Sequence, residues 1–560
     1  MVLSRRMFLK ACGCAAGALG AGALVGCGSD GAASSGANGA APAAGGASAG
    51  AAAASSDKSQ VVITMTPSSE PAAGFDPLVN WGAGEHVHEP LIQSTLITTD
   101  NNLAFVNDLA TDYGCSDDGL TWTFHIRDDV KFTDGVALTA EDVAFTINGI
   151  VNGEAAEADL SMVREARALD AVTCEIAMER PNNALLYTLA VVGIVPAHAY
   201  GEDYGEHPIG SGRYILEQWD RGQQVILRAN PDYYGEKPLM DRVVVLFMEE
   251  DASLAAASAG TVDVAYTSAA LAGVVPAGYT LLNCASVDSR GISLPCNPAG
   301  TDVVVDGDMV YMGGNDVTSD IAVRRALNFG IDRAVMIEHV LAGFGREAYS
   351  VGDGMPWSSD AMKVETDVAA AEALLDEAGW TRGADGMRSR DGLPCAFDLY
   401  YAASDSTRQA LAYDFADQCA ALGIAVTPKG ASWDDIYVRQ YADPVLWGWG
   451  SNSPVELFEL TYSTGWGNYA QYMNDTVDAN LEAAQAARTV EESYPFYQAA
   501  QWDAASGTGV APEGAATWVW LANVDHLYFE REGLVVAEQK PHPHGHGWSL
   551  VNNIDRWSWS

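Results

Sequence analysis

The clearest alternation of apolar and polar residues lies in the segment TWTFHIR. Trp122, Phe124 and Ile126 are separated by single polar residues, which is the period of a strand with one buried face. A turn follows, and Thr139 with Asp142 three positions later then forms the capping-box pattern of a helix start. The segment therefore predicts a half-buried strand followed by a helix.

Apolar residues three and four positions apart predict helices in the second half of the chain. The segment TSDIAVRRALNFGIDRAVMIEHVLAGFG has Ser319 as its expected N-cap, an interruption of the apolar stripe near Gly330 and a stop at Gly343. Two further helices are expected, one ending at Gly379 and one running from about residue 407 to 422.

Two other segments predict strands. Asp220-Arg221-Gly222 separates two alternating runs, which indicates a β-hairpin. The continuous apolar run RVVVLFM after it is typical of a fully buried strand.

Strand and helix signals alternate throughout, and 560 residues are too many for one core. The sequence therefore predicts an α/β protein of at least two domains.

The N-terminus has the pattern of an export signal. A twin-arginine motif, SRRMFLK, precedes an apolar stretch over residues 11–26, shorter than the roughly 20 residues a spanning helix needs. It ends in a lipobox-like Leu-Val-Gly-Cys, so residues 1–27 are predicted to be a twin-arginine-like lipoprotein signal, with lipidation at Cys27. Residues 28–58 are rich in Gly, Ala and Ser, which predicts a flexible tether.

Charge and cysteine content narrow the function further. The chain has 74 acidic and 30 basic residues, a formal charge of −44, which disfavours binding to nucleic acid because phosphate contacts need basic patches. Six of the nine cysteines follow the predicted lipidation site. Their pairing stays open, and these six are Cys115, Cys174, Cys284, Cys296, Cys395 and Cys419.

Several longer segments resemble one known family. In chain order they are DGLTWTFHIRDDVKFTDGVALTAEDVAFT, GSGRYILEQW, NPDYYGEKPLMDRVVV, AGTVDVAY, VRRALNFGIDRAVMIEHVLAG and AALGIAVT. They are similar to the extracytoplasmic solute-binding proteins of ABC importers, in the family that serves oligopeptides, dipeptides and nickel (family 5). The first segment is long and specific, and the resemblance covers most of residues 60–470.

The resemblance implies a two-lobed, periplasmic-binding-protein-like (Venus-flytrap) α/β fold with an extra subdomain in the first lobe and two hinge crossovers. The first lobe is expected over residues 59–300, with the subdomain at about 95–215. The second lobe is expected over residues 301–520, and a C-terminal return to the first lobe over 521–560. Ligand in the cleft would favour a closed state by contacting both lobes.

Aromatic residues of the second lobe are the expected cleft wall, because such side chains combine apolar area with polar tips. In peptide-binding relatives an Asp-Pro pair here often supplies the carboxylate for the peptide α-amine. This chain has Ser453-Pro454 instead, and Glu456 is the expected substitute. The aromatic residues could equally be lobe core, and Glu456 could equally begin a helix. The predicted ligand-binding residues, one of them in the first lobe, are Trp81, Trp447, Trp449, Glu456 and Tyr469.

Histidines are concentrated in two short segments, EHVHE and, near the C-terminus, EQKPHPHGHGWS. Two prolines in the second segment exclude a helix, and in a strand its three histidines would share one face. Neutral imidazoles suit Ni, Cu or Zn, whereas the alternative is a structural tail anchored by Trp548 and Trp557. The candidate metal ligands are His86, His88, His542, His544 and His546.

Catalytic motifs do not occur: there is no GxSxG, P-loop, GxGxxG or HExxH pattern. The chain is expected not to be an enzyme and to hold no cofactor, with nickel only as a transported ligand. We predict a monomeric receptor, lipid-anchored at the outer face of the cell membrane, or periplasmic in a cell with an outer membrane. It would capture small peptides and pass them to the transmembrane subunits of an ABC permease. A nickel or metal-chelate receptor of the same family is the alternative, and a secreted hydrolase a remote one.

Overall fold

The computed structural model describes residues 58–79, 82–83, 86–153, 158–305, 309–545 and 547–560, with backbone only at 82–83 and 86–87. The predicted signal and tether, and with them Cys27, lie outside the described residues, as do Trp81 and His546. Within the described ranges, no helix combines the length and the apolar character needed to cross a bilayer.

Eleven α-helices lie in the described residues. In chain order they are α1 (Ala140–Val151), α2 (Leu185–Leu189), α3 (Glu250–Ser258), α4 (Ile321–Gly330), α5 (Arg333–Leu341), α6 (Val368–Glu377), α7 (Ser406–Ala421), α8 (Trp433–Arg439), α9 (Val455–Thr461), α10 (Asp475–Ala486) and α11 (Val490–Gln501). Three 3₁₀ segments accompany them, at Pro67–Ser69, Asp360–Met362 and Trp548–Arg556.

Thirty strands, many of only two or three residues, occur in the same part of the chain. The first fifteen are β1 (Gln60–Met65), β2 (Gly82–Ala83), β3 (His86–Val87), β4 (Ile97–Thr99), β5 (Phe105–Asn107), β6 (Ala110–Cys115), β7 (Thr121–Ile126), β8 (Val163–Ala168), β9 (Thr173–Met178), β10 (Tyr214–Asp220), β11 (Gln224–Ala229), β12 (Arg242–Phe247), β13 (Val264–Thr267), β14 (Tyr279–Cys284) and β15 (Ser289–Ser293). The others are β16 (Thr301–Val305), β17 (Met309–Gly313), β18 (Gly345–Glu347), β19 (Thr381–Arg382), β20 (Arg388–Arg390), β21 (Leu393–Pro394), β22 (Ala396–Ala402), β23 (Ala425–Ala431), β24 (Val445–Trp449), β25 (Trp502–Asp503), β26 (Thr508–Gly509), β27 (Trp518–Val524), β28 (His526–Arg531), β29 (Leu534–Val535) and β30 (Ser558–Trp559).

The two largest sheets form the cores of two lobes, which confirms the predicted fold class. The first-lobe sheet has seven strands in the order β10-β11-β12-β1-β13-β28-β14, and the second-lobe sheet has six in the order β18-β27-β15-β24-β22-β23. Strands β1 and β12 are parallel neighbours in the middle of the first sheet. Their apolar residues are buried except for the partly buried Leu246, largely as the continuous run RVVVLFM predicts.

The chain crosses between the two sheets twice. Strand β14 ends the first-lobe stretch at Cys284 and β15 begins the second-lobe stretch at Ser289. The return crossover is a single residue, Asp525, between β27 and β28. The chain therefore passes from the first sheet to the second at residues 285–288 and returns at residue 525. The boundaries expected from the sequence are 300 and 520.

A four-stranded antiparallel sheet, in the order β6-β7-β9-β8, forms the extra subdomain of the first lobe. Helix α1 packs on it, and Phe124, Ile147 and Ile176 are fully buried in the same apolar cluster. The predicted capping box is present, because the Thr139 backbone N–H donates to Asp142 Oδ2 at 2.9 Å.

Most other local predictions are confirmed. β10 and β11 form the hairpin, and the helical stripe divides at Gly330 into α4 and α5. The predicted N-cap of α4 is wrong by one residue. Asp320, whose carboxylate accepts from the Ala322 N–H at 2.9 Å, is the cap, whereas the Ser319 hydroxyl donates to the Asp316 carbonyl.

Candidate ligand-binding cleft and hinge

A cavity of about 890 Å³ opens between the subdomain of the first lobe and the second lobe. On the first-lobe side its wall comes from β5, β6, β7 and α2, and on the second-lobe side from residues 354–357 and from the α10–α11 region. Pro541 of the C-terminal segment completes the wall. A volume of this size is typical of a site for a small ligand.

The two lobes are in contact beside this cavity, and Asn183 of the first lobe donates several hydrogen bonds to the second. Its backbone N–H donates to the Gln485 carbonyl at 2.9 Å. Its Nδ2 donates to the carbonyls of Ala484 at 2.9 Å and Ala487 at 3.1 Å. These carbonyls lie at the C-terminal end of α10, where a helix leaves acceptors without helical partners. The buried Asn183 is thus one of the residues that join the lobes in a closed arrangement.

Aromatic rings from both lobes meet at one side of the cavity. Tyr187 on α2 packs edge-on against Trp357 of the second lobe, with ring centroids 6.0 Å apart. Trp357 lies 6.2 Å from Tyr494 on α11, and the hydroxyls of Tyr187 and Tyr494 are hydrogen-bonded to each other. Rings of both lobes therefore line the same part of the cavity wall.

The aromatic residues predicted from the sequence are buried on β24 and in the segment after α9. Trp447 is stacked on Tyr469, with ring centroids 4.2 Å apart, and its Nε1 donates to Ser293 Oγ at 3.0 Å. Trp449 lies 6.5 Å from Trp447 and is also buried. None of the three lines the 890 Å³ cavity. A cleft role for them, and for Trp81 outside the described residues, stays a prediction.

Glu456 lies in the first turn of helix α9, and its carboxylate accepts from the Gly450 N–H at 2.7 Å. Burial raises the pKa of Glu456 to about 7, the Gly450 hydrogen bond opposes that rise, and the charge of Asp288 adds to it. The hydrogen bond to Gly450 holds the Glu456 side chain against the loop after β24. Contact between Glu456 and a ligand stays a prediction.

A buried charged cluster lies at the first crossover. Asp288 pairs with Arg290, and their side chains are 4% and 9% exposed. The same carboxylate contacts His526 Nε2 at 3.2 Å and His544 Nδ1. Burial alone would raise the pKa of Asp288, but the charge of Arg290 and the hydrogen bonds from the two histidines hold it well below its usual range. Gly448 permits this packing, since a Cβ there would collide with Arg408, Arg290 and His544.

The histidine-rich C-terminal segment forms a third strand-like connection at the hinge. The His542 N–H donates to the Ala285 carbonyl at 3.0 Å, and the His542 carbonyl accepts from Val287 at 2.8 Å. The His544 N–H donates to the Gly450 carbonyl of the second lobe at 2.6 Å. The segment therefore contacts the crossover and the second lobe. Beyond it, the fully buried Trp548 and Trp557 pack in the first-lobe core, as expected.

The histidines near the hinge, His88, His526, His542 and His544, are engaged in hydrogen bonds or enclosed by protein. His542 uses both ring nitrogens, Nδ1 with His526 at 3.1 Å and Nε2 with Gln539 Oε1 at 3.2 Å. His88 is buried, and burial lowers its pKa to about 4, with the charges of His544 and His526 as smaller causes. Among the described residues, no group of three or more His, Cys, Asp or Glu side chains could hold a metal ion. For His86, the structure describes only the backbone of β3. The metal-ligand hypothesis stays a prediction.

Sequence reasoning missed the residues that join the lobes. Asn183, Tyr187 and Tyr494 belong to segments without a binding motif, and Asp288 and His526 stand alone in sequence. The only available signal was the position of the crossovers, because hinge segments of a two-lobed fold are where distant parts of the chain meet. The six described cysteines, left open by the sequence, are free thiols.

The two sheets, the paired crossovers and the cavity between the lobes define a two-lobed ligand-binding protein. Residues 104–470 match the family described as bacterial extracellular solute-binding proteins, family 5. The chain belongs to this family, whose members are transport receptors and not enzymes. It is thus a substrate-binding protein of the ABC-transporter class.

Individual proteins support the same assignment. Protein XP55 of Streptomyces lividans is 33% identical over 443 residues, which cover 74% of this chain and 75% of that protein. The oligopeptide-binding protein AppA of Bacillus subtilis is 26% identical over 71% of this chain and 76% of its own length. The crystal structure of NikZ from Campylobacter jejuni in complex with Ni(L-His) has a TM-score of 0.73. It covers 90% of this chain and 100% of its own, at 23% identity, and supports the fold alone.

Proposed function

We propose that this chain is a lipid-anchored receptor that captures peptides in the inter-lobe cleft and delivers them to the permease of an ABC importer. The observation that carries the proposal is the 890 Å³ cavity with walls from both lobes. A ligand there contacts both lobes, so its binding energy favours the closed state. The similarity to an oligopeptide-binding protein over 71% of the chain supports the peptide as ligand class.

The cavity wall also has the chemistry that a peptide backbone needs. The Trp122 Nε1 and Asn182 Nδ2 donors belong to buried wall residues and have no hydrogen-bond partner among the described residues. A buried donor without a partner costs about 1–3 kcal/mol. Peptide carbonyls are acceptors that can supply such partners when side chains of the wall adjust to a ligand.

A nickel chelate is the second candidate ligand. Its support is the fold similarity to a protein crystallised with Ni(L-His), together with the four histidines His88, His526, His542 and His544 near the hinge. The hydrogen bonds already made by His542 and His544 favour the peptide instead, because a metal would have to replace them.

Native mass spectrometry of the untagged protein, as purified, tests the two ligands. Peptide capture predicts a spread of adducts that fragment as peptides. A single nickel-containing adduct contradicts it. If that adduct disappears when His542, His544 and His546 are replaced by Ala, the tail holds the metal; if it survives, the metal lies elsewhere, in the cleft.

The lipid anchor and the delivery step need separate tests. Replacing Cys27 by Ser should move the protein from the membrane fraction to the soluble exported fraction and abolish labelling by a clickable fatty acid. The matched control is Cys12→Ser, which makes the same change within the same predicted signal and should leave labelling intact. If the receptor delivers peptides to the permease, deletion of its gene should stop uptake of a labelled peptide by the cell, and re-expression should restore that uptake.

A further inference from the structure

Residues 540–545 and 547–548, which we call the strap, are fixed to the first lobe at both ends. At one end the Lys540 ammonium pairs with Glu89 and donates to the Thr99 carbonyl at 3.2 Å. At the other end Trp548 is buried in the first-lobe core, and its Nε1 donates to the Ser69 carbonyl at 2.6 Å. The first lobe therefore fixes where the middle of the strap runs.

The middle of the strap contacts both crossovers. The His542 N–H donates to the Ala285 carbonyl at 3.0 Å, and the Val287 N–H donates to the His542 carbonyl at 2.8 Å. His542 thus pairs with the first crossover in the manner of a parallel strand. Its Nδ1 also lies 3.1 Å from Nδ1 of His526, the residue that follows the second crossover. The strap and the two crossovers therefore form one hydrogen-bonded unit at the hinge.

Two further hydrogen bonds join the strap to the second lobe, at the loop after β24. The His544 N–H donates to the Gly450 carbonyl at 2.6 Å, and Asn452 Nδ2 donates to the Pro541 carbonyl at 3.0 Å. Gly450 has a φ of +140°, and a Cβ there would lie 1.8 Å from the Val287 carbonyl oxygen. Only glycine therefore allows the loop to pack this closely against the first crossover.

The hydrogen bond between Asn452 and Pro541 lies on the cleft side of the hinge, because both residues line the inter-lobe cavity. Lobes of this kind open by rotation about their crossovers, and such a rotation moves the walls of the cleft apart. Opening would therefore break this hydrogen bond. The pairing of His542 with the first crossover lies at the axis of rotation and would survive.

We propose that the strap acts as a latch, whose hydrogen bonds to the second lobe stabilise the closed arrangement. Asn452 is the positioning residue that connects this latch to the cavity wall. The hydrogen bond that Asn452 donates joins two neutral groups and is partly buried, so its loss should lower the ratio of closed to open protein about fivefold. The latch goes beyond the capture of peptides, because it acts whichever ligand occupies the cavity.

Hydrogen–deuterium exchange tests the latch on the full protein, freed of bound ligand by dialysis against dilute guanidinium. The reporter is the backbone N–H of Asn183, which donates to the Gln485 carbonyl of the other lobe at 2.9 Å and exchanges when the lobes separate. This contact is made at α10, not at the strap. We expect Asn452→Ala to speed exchange at Asn183 about fivefold, since the open state becomes that much more populated.

The matched control is Asn102→Ala. Asn102 lines the same cavity, but it is exposed, and its side-chain amide makes no hydrogen bond to the described residues. This variant should leave exchange at Asn183 unchanged. If the strap is only a structural tail, Asn452→Ala speeds exchange within the strap and leaves Asn183 as it is, and that result overturns the latch. Equal acceleration at Asn183 in both variants overturns it as well.

A second variant separates opening of the lobes from a folding defect. Asn452→Asp keeps the size of the side chain and removes the donor, so it should also speed exchange at Asn183. The amides of β27, in the second-lobe sheet, should exchange as in the unmodified protein, because the latch opens the lobes without unfolding them. Faster exchange of β27 in both variants indicates unfolding and overturns the proposal. No ligand is added in these measurements, so their outcome is independent of whether the protein captures peptides.

Discussion

The buried Asp288–Arg290 pair gives the most demanding prediction. Replacing Asp288 by Asn keeps the shape of the side chain and removes the charge that compensates Arg290, of which 9% is exposed. Arg408 is also buried nearby, and its pKa is lowered by burial and by the charge of Arg290. Without Asp288, two guanidinium groups would share the single carboxylate of Asp405, which pairs with Arg408 at 2.7 Å.

The expected cost follows from removing one partner of a buried ion pair. Such a change leaves an uncompensated charge in a low-dielectric site and costs about 3–5 kcal/mol. The lost contacts to His526 and His544 act in the same direction. We therefore expect Asp288→Asn to lower the free energy of unfolding by about 3–5 kcal/mol at neutral pH, where the pKa of Asp288, held well below its usual range, leaves it ionised.

Urea unfolding, followed by circular dichroism and by tryptophan fluorescence, measures this cost from the midpoint and the slope. The control is Asp129→Asn, which removes one partner of the exposed pair with Arg127, where the side chains are 33% and 59% exposed. The control should not move the midpoint, because exposed pairs contribute little. Removing both buried charges, in Asp288→Asn with Arg290→Met, should recover much of the loss. A loss below about 1 kcal/mol for Asp288→Asn, or no recovery in the double variant, would refute the reasoning.

Three further predictions have direct readouts. Asn183→Ala removes side-chain hydrogen bonds between the lobes and should weaken ligand binding about tenfold. It should also increase the radius of gyration of the ligand-bound protein in X-ray scattering, whereas an unchanged affinity would show that Asn183 does not support closure. Burial raises the pKa of Glu456 from 4.5 to about 7, so the folded state binds this proton more tightly than the unfolded state. Its contribution to stability is complete below pH 4.5 and is lost as the pH rises to about 7; Glu456→Gln should remove this decline in a pH series of urea midpoints, and an identical pH profile would contradict it. Because the six described cysteines are free, dithiothreitol should leave the unfolding midpoint unchanged, and a thiol assay in denaturant should titrate all of them without reductant.

Local structure was well predicted where short-range physics decides it. The period-two pattern around Trp122 and Phe124 is strand β7, and Thr139 with Asp142 forms the capping box of α1. The N-cap of α4 was misplaced by one residue because Ser319 and Asp320 both have capping side chains. Which of two adjacent caps is used depends on the direction from which the chain enters the helix, and that is set by packing.

The position of the aromatic residues was harder to predict. Trp447 and Tyr469 are large and amphipathic, which suits a cleft wall and a lobe core equally. In the structure they stack on each other and do not line the cavity, whereas Tyr187 and Trp357 meet at the cavity between the lobes. No local pattern distinguishes these two pairs, because the difference lies in which sheet face or helix end each segment reaches.

The order of residues along the chain is enough to specify the alternation of strands and helices, the local caps and turns and, through the order of its segments, the two-lobed family fold. Those features depend on side-chain period and on contacts between near neighbours. The hinge and the closed cleft, in contrast, become visible only in the folded protein. Asp288, His526 and His544 come together because two crossovers and the C-terminal segment pass through one place. Asn183 reaches Ala484 at the end of α10, 301 positions further along the chain. Such contacts arise from the way the sheets are connected, and the energy that holds them exists only once both lobes are folded.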